Sequence, residues 1–263
     1  MTQLRTLTAT RYLTPLREGG SLPAVVEADD GELYVMKFLG AGQGAEALIA
    51  ELISGEIARV LGLRVPEIVF LTLEPAFGQS EPNAEIRGLL RASIGLNLGL
   101  RYLPQAFTFN PVLPPPPDGA LASAIVWLDA YVMNVDRTLR NINLLDWQHE
   151  LWLIDHGATL YFHHNWASVA SASRSAFPLI KDHALLPFAD GLAEADAGAK
   201  ALLTAEVIAG IVELIPDVWL QGRTVPFADP AEHRRAYAEF LLNRLAASAL
   251  FVAEANRVRA ERV

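Results

Sequence analysis

At 263 residues the chain is long enough to bury a large core, as one big domain or as two lobes. With 52% hydrophobic and 19% charged residues its composition is globular, which excludes long disordered tracts, and a net charge of -9 supplies no basic stripe for nucleic acid. The absence of cysteine excludes disulfides, thiolate metal sites and cysteine nucleophiles; with no apolar core in the opening MTQLRTLTATRYL and no run of about 18 uncharged apolar residues, a cytoplasmic protein that makes no use of a membrane is expected.

Two strand-like runs open the chain, Leu22 to Glu27 and Glu32 to Leu39, flanking Asp29-Asp30-Gly31, and they predict a hairpin. Period-two alternation puts Leu33, Val35 and Lys37 on one face of the second run and Tyr34, Met36 and Phe38 on the other. A glycine-rich stretch, GAGQG at 40 to 44, leads into a helix predicted over Ala45 to Leu61, where Leu48, Leu52, Ile53, Ile57 and Leu61 recur at helical spacing. Gly62 ends it, and an extended segment runs from Val65 through Ile68 to Leu73. The proline run from Pro111 to Asp118 is neither helix nor central strand and reads as a stiff connector. Beyond it come a buried helix over Leu121 to Met133, two short strands over Ile142 to Leu145 and Leu151 to Ile154 joined by residues 146 to 150, and a Ser- and Ala-rich segment from His163 to Pro178 with no period, read as a loop of the mobile kind. The remainder reads as helix over Leu192 to Leu214 and from Pro230 to about Ala260, the latter opened by an Asp229 cap and a proline at its first position.

The chemistry sits in three short stretches. In NVDRTLRN, Asp136 precedes Asn141 by five residues, the interval at which phosphotransferases place the carboxylate that accepts the hydroxyl proton and the amide that holds a metal. Asp155 in LWLIDHG follows a strand and precedes Gly157, the setting of a second magnesium ligand, with His156 in the middle position. Lys37, interior to its strand, suits the α- and β-phosphates of ATP, braced by a carboxylate of the following helix. Glu51 and Glu56 compete for that role about 140° apart around the helix. Glu51 shares its face with Ala47, Ser54, Gly55 and Ala58, small residues that allow close approach to a sheet, whereas Glu56 can pair with Arg59 on a solvated face, so Glu51 is chosen. Two stretches could turn backbone N–H groups toward phosphate, Arg17-Glu18-Gly19-Gly20-Ser21 and GAGQG; the first is favoured because it adjoins the strands of the hairpin. No zinc-type histidine spacing and no G-x-S-x-G elbow is present.

With these residues in hand, the chain resembles the HipA-like kinases, through TPLREGGSLPAVVEADDGELYVMKF, AELISGEIARVLGLRVPE, NVDRTLRNINLL and LWLIDHG, and the D-R-x-x-x-N and I-D-x-G pair is similar to that of phosphatidylinositol kinases. The resemblance implies an α+β, two-lobed protein-kinase-like fold: residues 1–110 as an ATP-binding lobe, a small antiparallel sheet with one helix, and residues 111–263 as a mostly helical catalytic lobe. It implies Lys37 on the phosphates, Glu51 as its brace, Gly19, Gly20 and Ser21 in the phosphate loop, Asp136 as base, and Asn141 and Asp155 on magnesium. Thr138 stands where HipA-type loops commonly carry histidine, so that histidine's role is not inherited, and Ser21 is either an autophosphorylation site or a plain turn serine. The expected activity is ATP- and Mg2+-dependent transfer of the γ-phosphoryl group to a protein serine or threonine hydroxyl. A small-molecule or lipid-headgroup kinase and a nucleotide-binding pseudokinase with a regulatory role are the competing readings. Adenine contacts are expected between Leu89 and Pro104.

Overall fold

The computed structural model describes residues 3–16, 22–79, 81–221 and 226–261. Five strands close into a barrel in the order β1-β2-β3-β5-β4: β1 Thr6–Pro15, β2 Ala24–Ala28, β3 Leu33–Lys37, β4 Ile68–Leu73 and β5 Gly95–Arg101. The hairpin of β2 and β3 pairs Ala24 with Met36, Val25 with Val35 and Val26 with Tyr34, and Gly31 takes φ +81° in its turn, a left-handed conformation that glycine adopts at little cost. The alternation read from sequence decides the orientation: Tyr34 and Met36 join Ala24, Val26, Val69 and Leu71 in the barrel interior, and Lys37 faces outward.

Helix α1, Gly44–Val60, lies outside the barrel and buries Leu48, Ile49, Leu52, Ile53 and Ile57 in a second, larger core shared with the helices that follow. Gly55 eases its approach to β4, since a Cβ there would stand 2.6 Å from the terminal methyl Ile68 Cδ1, which would have to turn aside. The second core is built on α3, Gly119–Tyr131, whose first turn is capped by the Asp118 side chain accepting from Leu121 N at 2.8 Å. A three-stranded sheet of β6 Phe107–Thr108, β7 Leu144–Trp147 and β8 Glu150–Leu153 completes it, and the hairpin of β7 and β8 turns on two residues, Gln148 and His149, both at positive φ.

Several expectations are corrected. The sheet is not purely antiparallel, because β1, a threonine-rich strand without an apolar run, pairs in parallel with β4 through Thr6 and Phe70. A second helix, α2 Ala84–Ala92, capped by Asn83, accompanies the barrel and packs Ile86, Leu89 and Leu90 against its core. The stretch from His163 to Pro178 is a series of short helical turns, including α4 Val169–Ala172, that buries His163, Ser173 and Phe177. The helix expected over 192–214 is two, α5 Leu192–Leu202 and α6 Ala205–Val212, because the Thr204 side chain caps a new start by accepting from Val207 N. After α7, Asp217–Leu220, the long terminal helix likewise divides into α8 Pro230–Ala246 and α9 Ser248–Ala260, bent by 56° so that Phe251 packs edge-on against Trp127 of α3. No single helix among the described residues is long and apolar enough to cross a membrane.

Candidate active site

Between the barrel and the sheet of β6 to β8 opens a cleft of about 970 Å³, lined by Lys37, Asp136, Asn141, Asn143, Asp155 and Gly157 among others. Lys37 arrives from the end of β3 and is nearly enclosed, its side chain 11% exposed. Its ammonium donates to Glu51 Oε2 and, at 2.6 Å, to Asp155 Oδ1. Burial works against the charge on Lys37, but the two carboxylates outweigh it and hold its pKa well above the ordinary lysine value. Glu51 has no exposed side-chain surface, and although burial alone would raise its pKa, Lys37 and His156 hold it at about 2. It is therefore an anion at neutral pH. Glu56, in contrast, is not on a solvated face: it pairs loosely with Arg59 at 3.6 Å with its side chain 11% exposed, and burial raises its pKa.

Asp155 sits just past β8 in the left-handed region, φ +56°. For a residue other than glycine this costs on the order of 1 kcal/mol, and aspartate tolerates it better than most. The conformation sends the Asp155 carboxylate to Lys37 while the next backbone N–H, of His156, donates to Glu51 Oε2 at 2.8 Å. Asp136 and Asn141 occupy the loop after α3, where Asn141 Nδ2 donates to Asp136 Oδ2 at 2.7 Å. Two hydrogen bonds across the loop, Thr138 N to Asn141 O and Asn141 N to Thr138 O, fold it into a compact turn.

Under that loop lies a buried network that the motif reading did not single out. Asp129, inside α3 and wholly buried, accepts from Arg137 Nε, from His183 Nε2 at 2.9 Å and, through its other oxygen, from Asn134 Nδ2 at 2.8 Å. His183 is the donor, because its Nδ1 accepts from Leu185 N. Asn134 in turn accepts from the Asp136 amide at 3.0 Å. Arg137 also donates to the carbonyls of Asn143 and Ile154, which joins the Asp136 loop to the strand end that presents Asp155. Burial opposes ionisation of Asp129, yet Arg137 and His183 press its pKa far below the carboxylate range. A lone carboxylate in the apolar run AIVWLDAYV was the available signal, since a buried acid must have a partner.

Arg17, Glu18, Gly19, Gly20 and Ser21 lie outside the described residues. Of the competing stretch, Gly42 and Gln43 line the cleft. From the expected adenine region, Leu100, Arg101, Tyr102 and Leu103 line it too, opposite Leu145 and Ile154. No cluster of three or more His, Asp or Glu side chains suited to a metal is present among the described residues. Asn141 and Asp155 nevertheless offer two hard oxygen donors that line the same cleft, and magnesium is usually held by one or two protein oxygens completed by phosphate and water, so the donor set fits that ion.

The model of one protein family, described as HipA-like kinase, matches residues 10–252. None of the curated proteins matches the chain. Among solved structures, the Helicobacter pylori proinflammatory kinase CtkA superimposes with a TM-score of 0.56 at 14% identity, covering 99% of this chain and 100% of its own. The Golgi casein kinase with Mn and ADP bound gives a TM-score of 0.49 at 11% identity, covering 97% of this chain and 74% of that one. At such identity the CtkA likeness is one of fold, a protein-kinase-like fold of mixed helix and strand.

Proposed function

The chain belongs to the HipA-like kinase family, and on that premise we propose that it is an ATP- and magnesium-dependent kinase whose acceptor is the hydroxyl of a serine or threonine in a protein. The observation that carries the reading is the meeting of Lys37 with Glu51 and Asp155 at a cleft that is also lined by Asp136, hydrogen-bonded to Asn141. In this reading residues 1–110 form the nucleotide lobe, residues 111–263 the catalytic lobe, and the proline run at 111–118 the connector. Lys37, held charged by its two carboxylates, neutralises the α- and β-phosphates. Asp136 orients the acceptor hydroxyl and takes its proton as the oxygen bonds to the γ-phosphorus; the bond from that phosphorus to the bridging oxygen breaks, and ADP departs with the electron pair. Magnesium, carried by Asn141 and Asp155 and the phosphates, supplies charge neutralisation when bound. Arg137 and Asp129 keep Asp136 and Asp155 at fixed separation, which matters because a displacement of about 1 Å can cost about 100-fold in rate.

The test uses radiolabelled ATP with magnesium and cell extract, comparing the native protein with Asp136→Ala and Asp155→Ala. Label on a polypeptide, lost in both variants, is expected. Label confined to a metabolite would replace the protein acceptor with a small molecule, and nucleotide binding without any transfer would make the chain a pseudokinase.

A further inference from the structure

His156 is buried without residue, touches the site from behind, and has no part in the chemistry above. Its backbone N–H donates to Glu51 Oε2 at 2.8 Å and its ring Nδ1 lies 3.3 Å from Glu51 Oε1, so a single residue serves both oxygens of the carboxylate that braces Lys37. An ionised carboxylate only accepts, which places the ring proton on Nδ1. The other ring nitrogen, Nε2, is buried with no hydrogen-bond partner among the described residues, so the ring is not retained there for a second polar contact. The segment is pinned further by Thr159, whose hydroxyl donates to the His156 carbonyl at 2.8 Å and lies 2.7 Å from Ser54 Oγ of α1. Helix α1 and the Asp155 turn are thus fastened at two neighbouring points, one at residue 51 and one at residue 54. Without the ring donor, Glu51 Oε1 has no other hydrogen-bond donor among the described residues, and the carboxylate is held through Oε2 alone, by Lys37 and the His156 backbone N–H.

We infer that His156 is a positioning residue: by donating from its ring to Glu51 it locks α1 to the Asp155 turn, so that the lysine brace and the metal-binding carboxylate take up their places together. The inference rests on the kinase reading for its consequence, though not for the contact itself. It predicts that phenylalanine at this position, similar in shape but without a donor, loosens nucleotide binding, and that asparagine, whose amide nitrogen can stand near the Nδ1 position, restores it.

The experiment is a mutant cycle with His156→Phe, His156→Asn, Glu51→Met and the His156→Phe/Glu51→Met double variant. It is read twice: as thermal unfolding without nucleotide, and as calorimetric binding of magnesium with a non-hydrolysable ATP analogue. His156→Phe is expected to weaken binding about tenfold, with His156→Asn within about threefold of the native protein, and to have no further effect once Glu51 is methionine. In unfolding, the loss in the double variant should fall short of the sum of the single losses by about 2–4 °C. Additive losses in unfolding, or native-like binding by His156→Phe, overturn the inference. A native protein that binds no nucleotide yet shows the unfolding coupling would sink the kinase reading and leave the His156 contact standing.

Discussion

Arg137 is a residue whose importance follows from where its charge goes. It is fully buried, and its guanidinium spans Asp129 on one side and two backbone carbonyls on the other. Removing one partner of a buried ion pair costs about 3–5 kcal/mol because the other charge is left uncompensated, far more than the 0–1 kcal/mol of a surface pair such as Arg257 with Glu254. Arg137→Ala is therefore expected to lose about 3 kcal/mol, the lower end because His183 still donates to Asp129, and to lower the melting temperature by roughly 6–12 °C. Arg137→Lys should recover less than half, since an ammonium cannot reach Asp129 and both carbonyls with a planar fork. Thermal unfolding of the two variants checks this, and a native-like Arg137→Ala would show that the network does not hold the loop.

The helix that carries Glu51 shows how an element is placed by what it lacks. Gly55 lies one turn on from Glu51, and its missing side chain leaves room for Ile68 of β4 and for Val65 ahead of that strand. Alanine there gains about 0.5–1 kcal/mol of helix propensity and needs only the Ile68 terminal methyl to turn aside, so Gly55→Ala should be close to neutral. Valine adds two methyls in the same gap, and overpacking of this kind costs about 1–3 kcal/mol. Gly55→Val is expected to be the less stable of the pair in urea unfolding and to weaken nucleotide binding as well, because moving α1 moves Glu51. The small residues on the Glu51 face made this packing legible in the sequence. Among the elements that stayed hidden at this scale were β1 and α2. The first is a threonine-rich strand with few apolar positions, and the second is a short helix whose apolar face of Ile86, Leu89 and Leu90 spans barely one turn.

For the whole molecule, the balance of buried titratable groups sets the response to acid. His163, packed against Tyr237 with its Nδ1 3.2 Å from the hydroxyl, has its pKa pushed down to about 3 from 6.5, first by burial and then by His164 and His233. His233 is shifted down as well, mainly by burial. The unfolded chain binds these protons first, so the stability they contribute is complete above pH 6.5 and is lost as pH falls from there, for His163 toward about 3. Across that window His163 can cost up to about 1.4 kcal/mol per pH unit, and His233 acts in the same direction. The melting temperature is expected to fall between pH 7.5 and 5.5, before the depressed carboxylates Glu51 and Asp129 titrate. His163→Gln should flatten that fall, and an unchanged slope in this variant would show that His163 does not stay neutral in the folded protein.

The order and spacing of Lys37, Asp136, Asn141 and Asp155, and the face of β3 on which the lysine lies, were fixed by local pattern, because strand alternation and loop spacing depend only on near neighbours. The small residues beside Glu51 belong to the same local information. The tertiary structure alone decided that Asp129, Arg137 and His183 support the Asp136 loop, that β1 runs parallel to β4, and that His156 reaches Glu51 across 105 residues of sequence. The physical reason is that burial removes water from these groups, and only the folded chain determines which distant partner replaces it.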